Sequence, residues 1–333
     1  MSRGSDFQDY VKRESGGRSQ LSVVERVRKE AADERKQKLS DEIRFLRSIP
    51  EDWKRHFPAI VLSHVSGDRV FYEMPSYQLP TMRRLIFSGT IGHREAIKWI
   101  DKILAFCFQM YDRQKMAVPA SYMDYMHTRR LRKRLIELQE KTEVFKGIIK
   151  KKHLEVNGKA YLNTPLIYEE IRKGGLLRAC RPPYVSRWAH SDLHFSNVLI
   201  DIQNDNFILL DPRGYKYCDY YYDFGKLWHS VNGKYEFIAE YKFKAWDSRF
   251  HLERNEAYYE CEKIKASLPD VFMKYSKEPK AETMMKTRFN EAVHFASLVP
   301  FILDFDQKET RARVAYYTGA VLLNEFYESH QRR

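Results

Sequence analysis

The stretch that most constrains this 333-residue chain runs Trp188-Ala-His190-Ser-Asp192-Leu-His194-Phe-Ser-Asn197-Val-Leu-Ile-Asp201, then Phe207-Ile-Leu-Leu-Asp211-Pro-Arg213-Gly214. Val198 to Ile202 and Phe207 to Leu210 read as two strands, and Gln203-Asn-Asp-Asn206 between them consists of turn formers. Pairing about residue 204 would set Asn197 opposite Asp211, with Cα atoms roughly 4.5–5.5 Å apart. An amide oxygen and a carboxylate at the open end of a hairpin are hard donors. They suit Mg²⁺, which takes one or two protein carboxylates and completes its octahedron with water and phosphate oxygens. Asp192, just before the pair, is free to handle a substrate proton. Together these positions fit phosphoryl transfer.

Other readings of the same residues stand beside that one. Asn and Asp are common at strand ends because they make turns, so either residue alone says little. If residues 190–194 were a strand, His190, Asp192 and His194 would share one face and offer a zinc set to a metal-dependent hydrolase. That reading leaves Asn197 and Asp211-Pro-Arg-Gly214 without a role.

Lys and Arg number 58 against 45 Asp and Glu, a net charge of +13, which favours an anionic partner. Nucleotides, phosphorylated sugars, nucleic acid and anionic membranes all qualify, but no aromatic-rich nucleic-acid module is present, so no nucleic acid is expected. The 22 Tyr and 20 Phe exclude general disorder. Cys107, Cys180, Cys218 and Cys261 show no Cys-x-x-Cys spacing, which fits a reducing compartment. Met-Ser-Arg-Gly-Ser-Asp at the start has no apolar signal core, and the most apolar stretch, His294 to Phe305, is short and carries Pro300. The expectation is a cytoplasmic protein with no transmembrane segment.

Along the chain, residues 1–22 are polar with a turn at Gly16-Gly17, and Val23 to Lys29 reads as a strand. Ala31 to Leu46 has helical composition, with Leu39, Ile43 and Leu46 at i, i+4, i+7. Ala59 to Val65 and Arg69 to Glu73 read as strands. Helices dominate from Pro80, including Glu95 to Tyr111, Met123 to Lys141 and Tyr316 to Tyr327. The basic run Arg129-Arg130-Leu-Arg132-Lys133-Arg134 is either a solvated helix face or a surface for an anionic substrate or membrane.

His190-Ser-Asp192-Leu-His-Phe-Ser-Asn197 resembles the catalytic loop of the aminoglycoside phosphotransferase and choline kinase superfamily. Asp211-Pro-Arg-Gly214 and Tyr221-Tyr-Asp223-Phe-Gly-Lys-Leu227 are similar to its metal-binding and following segments. In detail they look most like phosphotransferase-family proteins encoded with bacterial surface-polysaccharide genes. The strong resemblance covers about residues 188–232 and a looser one most of the chain.

That resemblance implies an α+β, protein kinase-like two-lobed fold: a small β-rich nucleotide-binding lobe over 1–78 and a large helical lobe over 79–333. It implies an ATP-dependent phosphotransferase that uses Mg²⁺. The γ-phosphoryl group of ATP, or of another nucleoside triphosphate, would pass to a hydroxyl of a small acceptor such as a sugar or polysaccharide precursor. Asp192 would orient the acceptor hydroxyl and take its proton, with His190 fixing the catalytic loop. Asn197 and Asp211 would hold the metal. Lys29, with Arg28 as the neighbouring possibility, would steady the α- and β-phosphates, and Glu42 would anchor Lys29. Met74-Pro75-Ser-Tyr, directly after Glu73, would be the hinge where adenine binds backbone groups, with Glu73 and Met74 as the cofactor-binding residues. Arg213 either neutralises phosphate or pairs with a carboxylate. Asp223 would accept hydrogen bonds from the catalytic-loop backbone, the other reading being a helix N-cap. Only about a dozen residues separate Gly17 from Lys29, so the first strands of this layout are compressed. A catalytically weak kinase-fold scaffold is therefore the second function class.

Overall fold

A computed structural model describes residues 25–31, 35–67, 69–305 and 309–331. The expected turn at Gly16-Gly17 and the start of the first strand lie outside the described residues.

Three antiparallel strands come first: β1 (Arg26–Ala31), β2 (Leu62–Ser66) and β3 (Arg69–Pro75), with β3 in the middle. Helix α1 (Lys36–Ser48) lies between β1 and β2 in sequence and starts later than its composition suggests, because β1 runs through Ala31. It buries Leu39, Ile43, Phe45 and Leu46, the face its i, i+4, i+7 spacing specifies. Glu42 sits on that same apolar face and is 1% exposed. A buried carboxylate needs partners, and its partners define the site.

Helices make up most of the remainder: α2 (His93–Arg113), α3 (Arg130–Lys141), α4 (Tyr220–Val231), α5 (Glu256–Tyr275), α6 (Lys280–Phe305) and α7 (Glu309–His330). A π-helical turn, Asp124–Arg129, leads into α3. All twelve residues of α4 are buried, with α6 packed against it and α7 packed against α6. The approach is close at Gly225, where a Cβ would fall 2.5 Å from the Asn290 Cβ.

The hairpin β4 (Val198–Asp201) and β5 (Asn206–Leu209) stands apart from the three-stranded sheet and carries the motif residues at its base. The fold is therefore mixed α+β, with small sheets and a helical C-terminal part. Among the described residues, no helix is long and apolar enough to cross a membrane. All four cysteines are buried and unpaired.

Candidate active site

The hairpin does not pair about residue 204. Val198 faces Leu209 and Asp201 faces Asn206, so the register is offset by one residue. Asp205 takes a positive φ of 48°, and the four residues Ile202 to Asp205 form the loop. Asn197 therefore faces Leu210, whose N–H donates to the Asn197 carbonyl at 2.8 Å. Asp211 is one step beyond the ladder. Its φ of +59° turns the chain away from the strand, a conformation sparsely populated by residues other than glycine.

Asp211 meets Lys29 there. Lys29 Nζ lies 2.6 Å from Asp211 Oδ1, and 2.7 and 2.8 Å from the two Glu42 oxygens. The Tyr72 hydroxyl, from the central strand, donates to Glu42 Oε1 at 2.9 Å. One ammonium thus ties the sheet, α1 and the hairpin base together. Burial would lower the Lys29 pKa, but Asp211 and Glu42 beside it raise it. Burial opposes ionisation of Asp211, and Lys29 prevails, holding that carboxyl below its ordinary range.

Asp192 is 5% exposed and bracketed by two cations. Arg213 Nη2 is 2.5 Å from its Oδ2 and Lys226 Nζ is 3.0 Å from its Oδ1. Burial pushes the carboxyl up, but Arg213 and then Lys226 outweigh it and keep the pKa well below the usual carboxylate range. Arg213 thus pairs with a carboxylate, one of the two roles open to it. Lys226, inside the wholly buried α4, is a site residue that sequence reasoning missed. A lysine in an otherwise aromatic and apolar run signals a buried charge that needs a counter-ion.

The backbone around Asp192 is held from several sides. His190 Nε2 faces the Leu210 carbonyl at 2.8 Å, while the Asp192 N–H points at His190 Nδ1 at 3.2 Å. The imidazole must donate through Nε2 and accept through Nδ1, which fixes a neutral ring, and burial lowers its pKa to about 4. Asn197 Nδ2 donates to the Asp192 carbonyl at 2.9 Å. Asp223 accepts from the Tyr111 hydroxyl at 2.7 Å. Burial raises Asp223 to about 7, against the lowering effect of Tyr111 and of the Ser191 and Leu193 N–H groups. Asp223 is not the N-cap of α4; that is Asp219, which accepts from the Tyr222 N–H at 3.1 Å.

Two further expectations need correcting. Residues 190–194 are not a strand: Ser191 has φ +64°, which breaks the alternation required of a His-x-Asp-x-His face. Both His190 nitrogens are engaged by backbone, and His194 Nδ1 turns toward Glu236 at 3.6 Å. Glu73 and Met74 lie within β3, so their backbone groups belong to the sheet. The Glu73 carbonyl accepts from the Val61 N–H at 2.8 Å. A bond from the Ser76 N–H to the Glu25 carbonyl makes Val27 and Met74 a hydrogen-bonded pair in the same ladder. The Glu73 carboxylate is taken by Arg28, at 2.6 Å. The strand simply runs two residues further than its composition suggests.

Two side-chain oxygens at the hairpin base remain uncommitted. Asn197 spends its amide nitrogen on the Asp192 carbonyl, which leaves Oδ1, and Asp211 spends Oδ1 on Lys29, which leaves Oδ2. Both are hard oxygens of the kind that hold Mg²⁺ alongside phosphate. Among the described residues no three His, Cys, Asp or Glu side chains converge as a closed metal cage. The chain matches no protein-family model and no curated protein.

Proposed function

We propose that this protein is an ATP-dependent phosphotransferase that moves the γ-phosphoryl group to a hydroxyl of a small acceptor. The observation that carries the reading is Lys29 shared between buried Glu42 and Asp211, with Asp192 and Asn197 on the adjoining loop. A lysine anchored by a helix carboxylate and set beside an acidic residue is the arrangement that steadies nucleotide phosphates in kinase-type transfer. The three-stranded sheet with α1, followed by a helical body, supports a two-lobed kinase-like division near residue 78. The triphosphate would lie against Lys29, and the adenine would meet the segment after β3 at Tyr77 and Gln78.

Phosphoryl transfer proceeds through a loose transition state, so positioning and charge neutralisation do most of the work. Asn197 Oδ1 and Asp211 Oδ2 would hold Mg²⁺, which when bound neutralises phosphate charge. Asp192 accepts the acceptor O–H and aims its oxygen in line with the phosphorus. Its low basicity, set by Arg213 and Lys226, means that the proton leaves late, as the new O–P bond forms. His190 contributes by holding the loop in shape, since its buried neutral ring is already bonded at both nitrogens.

A second reading is a nucleotide-sensing scaffold with weak or no turnover. The bracketing of both Asp192 oxygens by cations favours it. The experiment is Mg²⁺-dependent transfer from γ-labelled ATP or GTP to a panel of sugars, polyols, choline and aminoglycosides. Transfer supports the phosphotransferase; tight nucleotide binding without transfer assigns the scaffold.

A further inference from the structure

Next to Arg213, the ion-pair partner of Asp192, opens a cleft of about 830 Å³ walled by α1, α3, Tyr215 and the end of α6. That volume falls within the roughly 300–1,000 Å³ typical of small-molecule sites. Seven of its lining side chains are basic and four are acidic. Most of the cations are neutralised within the fold: Arg213 by Asp192, Arg134 by Glu137, and Arg35 and Lys141 by Asp304. Lys38, Arg130 and Lys133 have no carboxylate partner among the described residues. Arg130 contacts the Tyr222 hydroxyl and lies over that ring, 5.5 Å from its centroid. Lys133 is exposed, and half-buried Lys38 sits one turn before Glu42 on α1.

We infer that the acceptor is itself a phosphate ester: a hydroxylated molecule whose anionic group docks on Lys38, Arg130 and Lys133 while its free hydroxyl reaches Asp192. This rests on the phosphotransferase reading and adds the substrate class to it. The unmatched cations lie on two elements that face each other across the cleft, where a solvated basic helix face would be open to water on one side only. Burial lowers the Lys38 pKa to about 8, and Arg213 adds repulsion; a docked anion offsets both. With seven cations against four carboxylates, the walls carry a net positive charge that also disfavours cationic acceptors. The same phosphate could come from a soluble sugar phosphate or from a lipid headgroup.

The test is calorimetric titration of the whole protein, with Mg²⁺ and a non-hydrolysable ATP analogue present so that the nucleotide's phosphate positions are filled. The probes are glucose 6-phosphate against glucose, and glycerol 1-phosphate against glycerol. A second arm measures sedimentation with phosphatidylcholine vesicles, with or without phosphatidylglycerol. The inference expects at least tenfold tighter binding of the phosphorylated member in one arm, and the arm that responds identifies the source. It also expects Lys133→Glu and Lys38→Met each to weaken that binding at least fivefold; exposed Lys133 can be changed without disturbing the core. Equal binding of ester and parent, or unchanged binding in both variants, overturns it. Binding of the ester by a protein that does not bind the ATP analogue keeps the anion site and removes the phosphotransferase reading. Analogue binding without ester binding does the reverse.

Discussion

A Cβ placed on Gly214 would lie 2.2 Å from the Asp41 carbonyl oxygen. The Asp211-Pro-Arg-Gly214 segment therefore presses directly on the backbone of α1, one residue before Glu42. Gly214 also has φ +62°, a conformation in which a side chain is strained. This contact sets the hairpin base against the helix that anchors Lys29.

Gly214→Ala should consequently cost about 1–3 kcal/mol of stability, through strain and the forced shift of α1. Because α1 carries Glu42, Mg²⁺·ATP binding should weaken as well. Denaturant unfolding and nucleotide titration of the same preparation check both effects. Unchanged values would mean that this contact positions nothing.

Lys29→Met removes the ammonium that Glu42 and Asp211 share. Loss of one preorganised charge of this kind typically lowers turnover about 10²–10³-fold. Ground-state ATP binding should fall much less, since other contacts remain. The comparison is kcat against the nucleotide Kd, and equal losses in both would assign Lys29 to binding alone.

Lys226→Met tests the pair of cations at Asp192. In the proposed transfer Asp192 must be ionised to accept the acceptor hydroxyl, and its pKa is depressed by Arg213 and Lys226 despite burial. Activity is then lost as pH falls through that depressed pKa. Removing Lys226 raises the pKa, so the acid limb of the kcat/KM profile should move to higher pH. An unmoved limb would show that Lys226 does not face the working carboxylate.

The legible part of this site was the part encoded locally. Asp192, Asn197 and Asp211 lie within twenty residues, on one short hairpin and the loops at its base, so their spacing carries their relationship. Lys29 and Glu42 were placed through a layout, not through any local pattern, and the buried position of Glu42 on an apolar helix face explains why it needs a cation. The hairpin register was off by one, because the loop length depends on the backbone angle of Asp205, which its identity permits without requiring. Glu73 and Met74 belong to the sheet because β3 continues to Pro75, a tertiary outcome of pairing on both edges. Lys38 and Lys226 were missed, since their significance comes from what α1 and α4 bring them against.

The central claim is that the Asp192 carboxylate orients the acceptor hydroxyl and takes its proton during transfer, and single-turnover kinetics of Asp192→Asn test it most directly. The substitution keeps the shape and removes the charge that Arg213 and Lys226 balance, so its folding is verified by thermal unfolding beforehand. Labelled ATP is mixed with excess enzyme, Mg²⁺ and the best acceptor. The account predicts nucleotide binding within a few-fold of wild type and transfer slower by about 10²–10⁴-fold. Equal transfer rates for wild type and Asp192→Asn would contradict it.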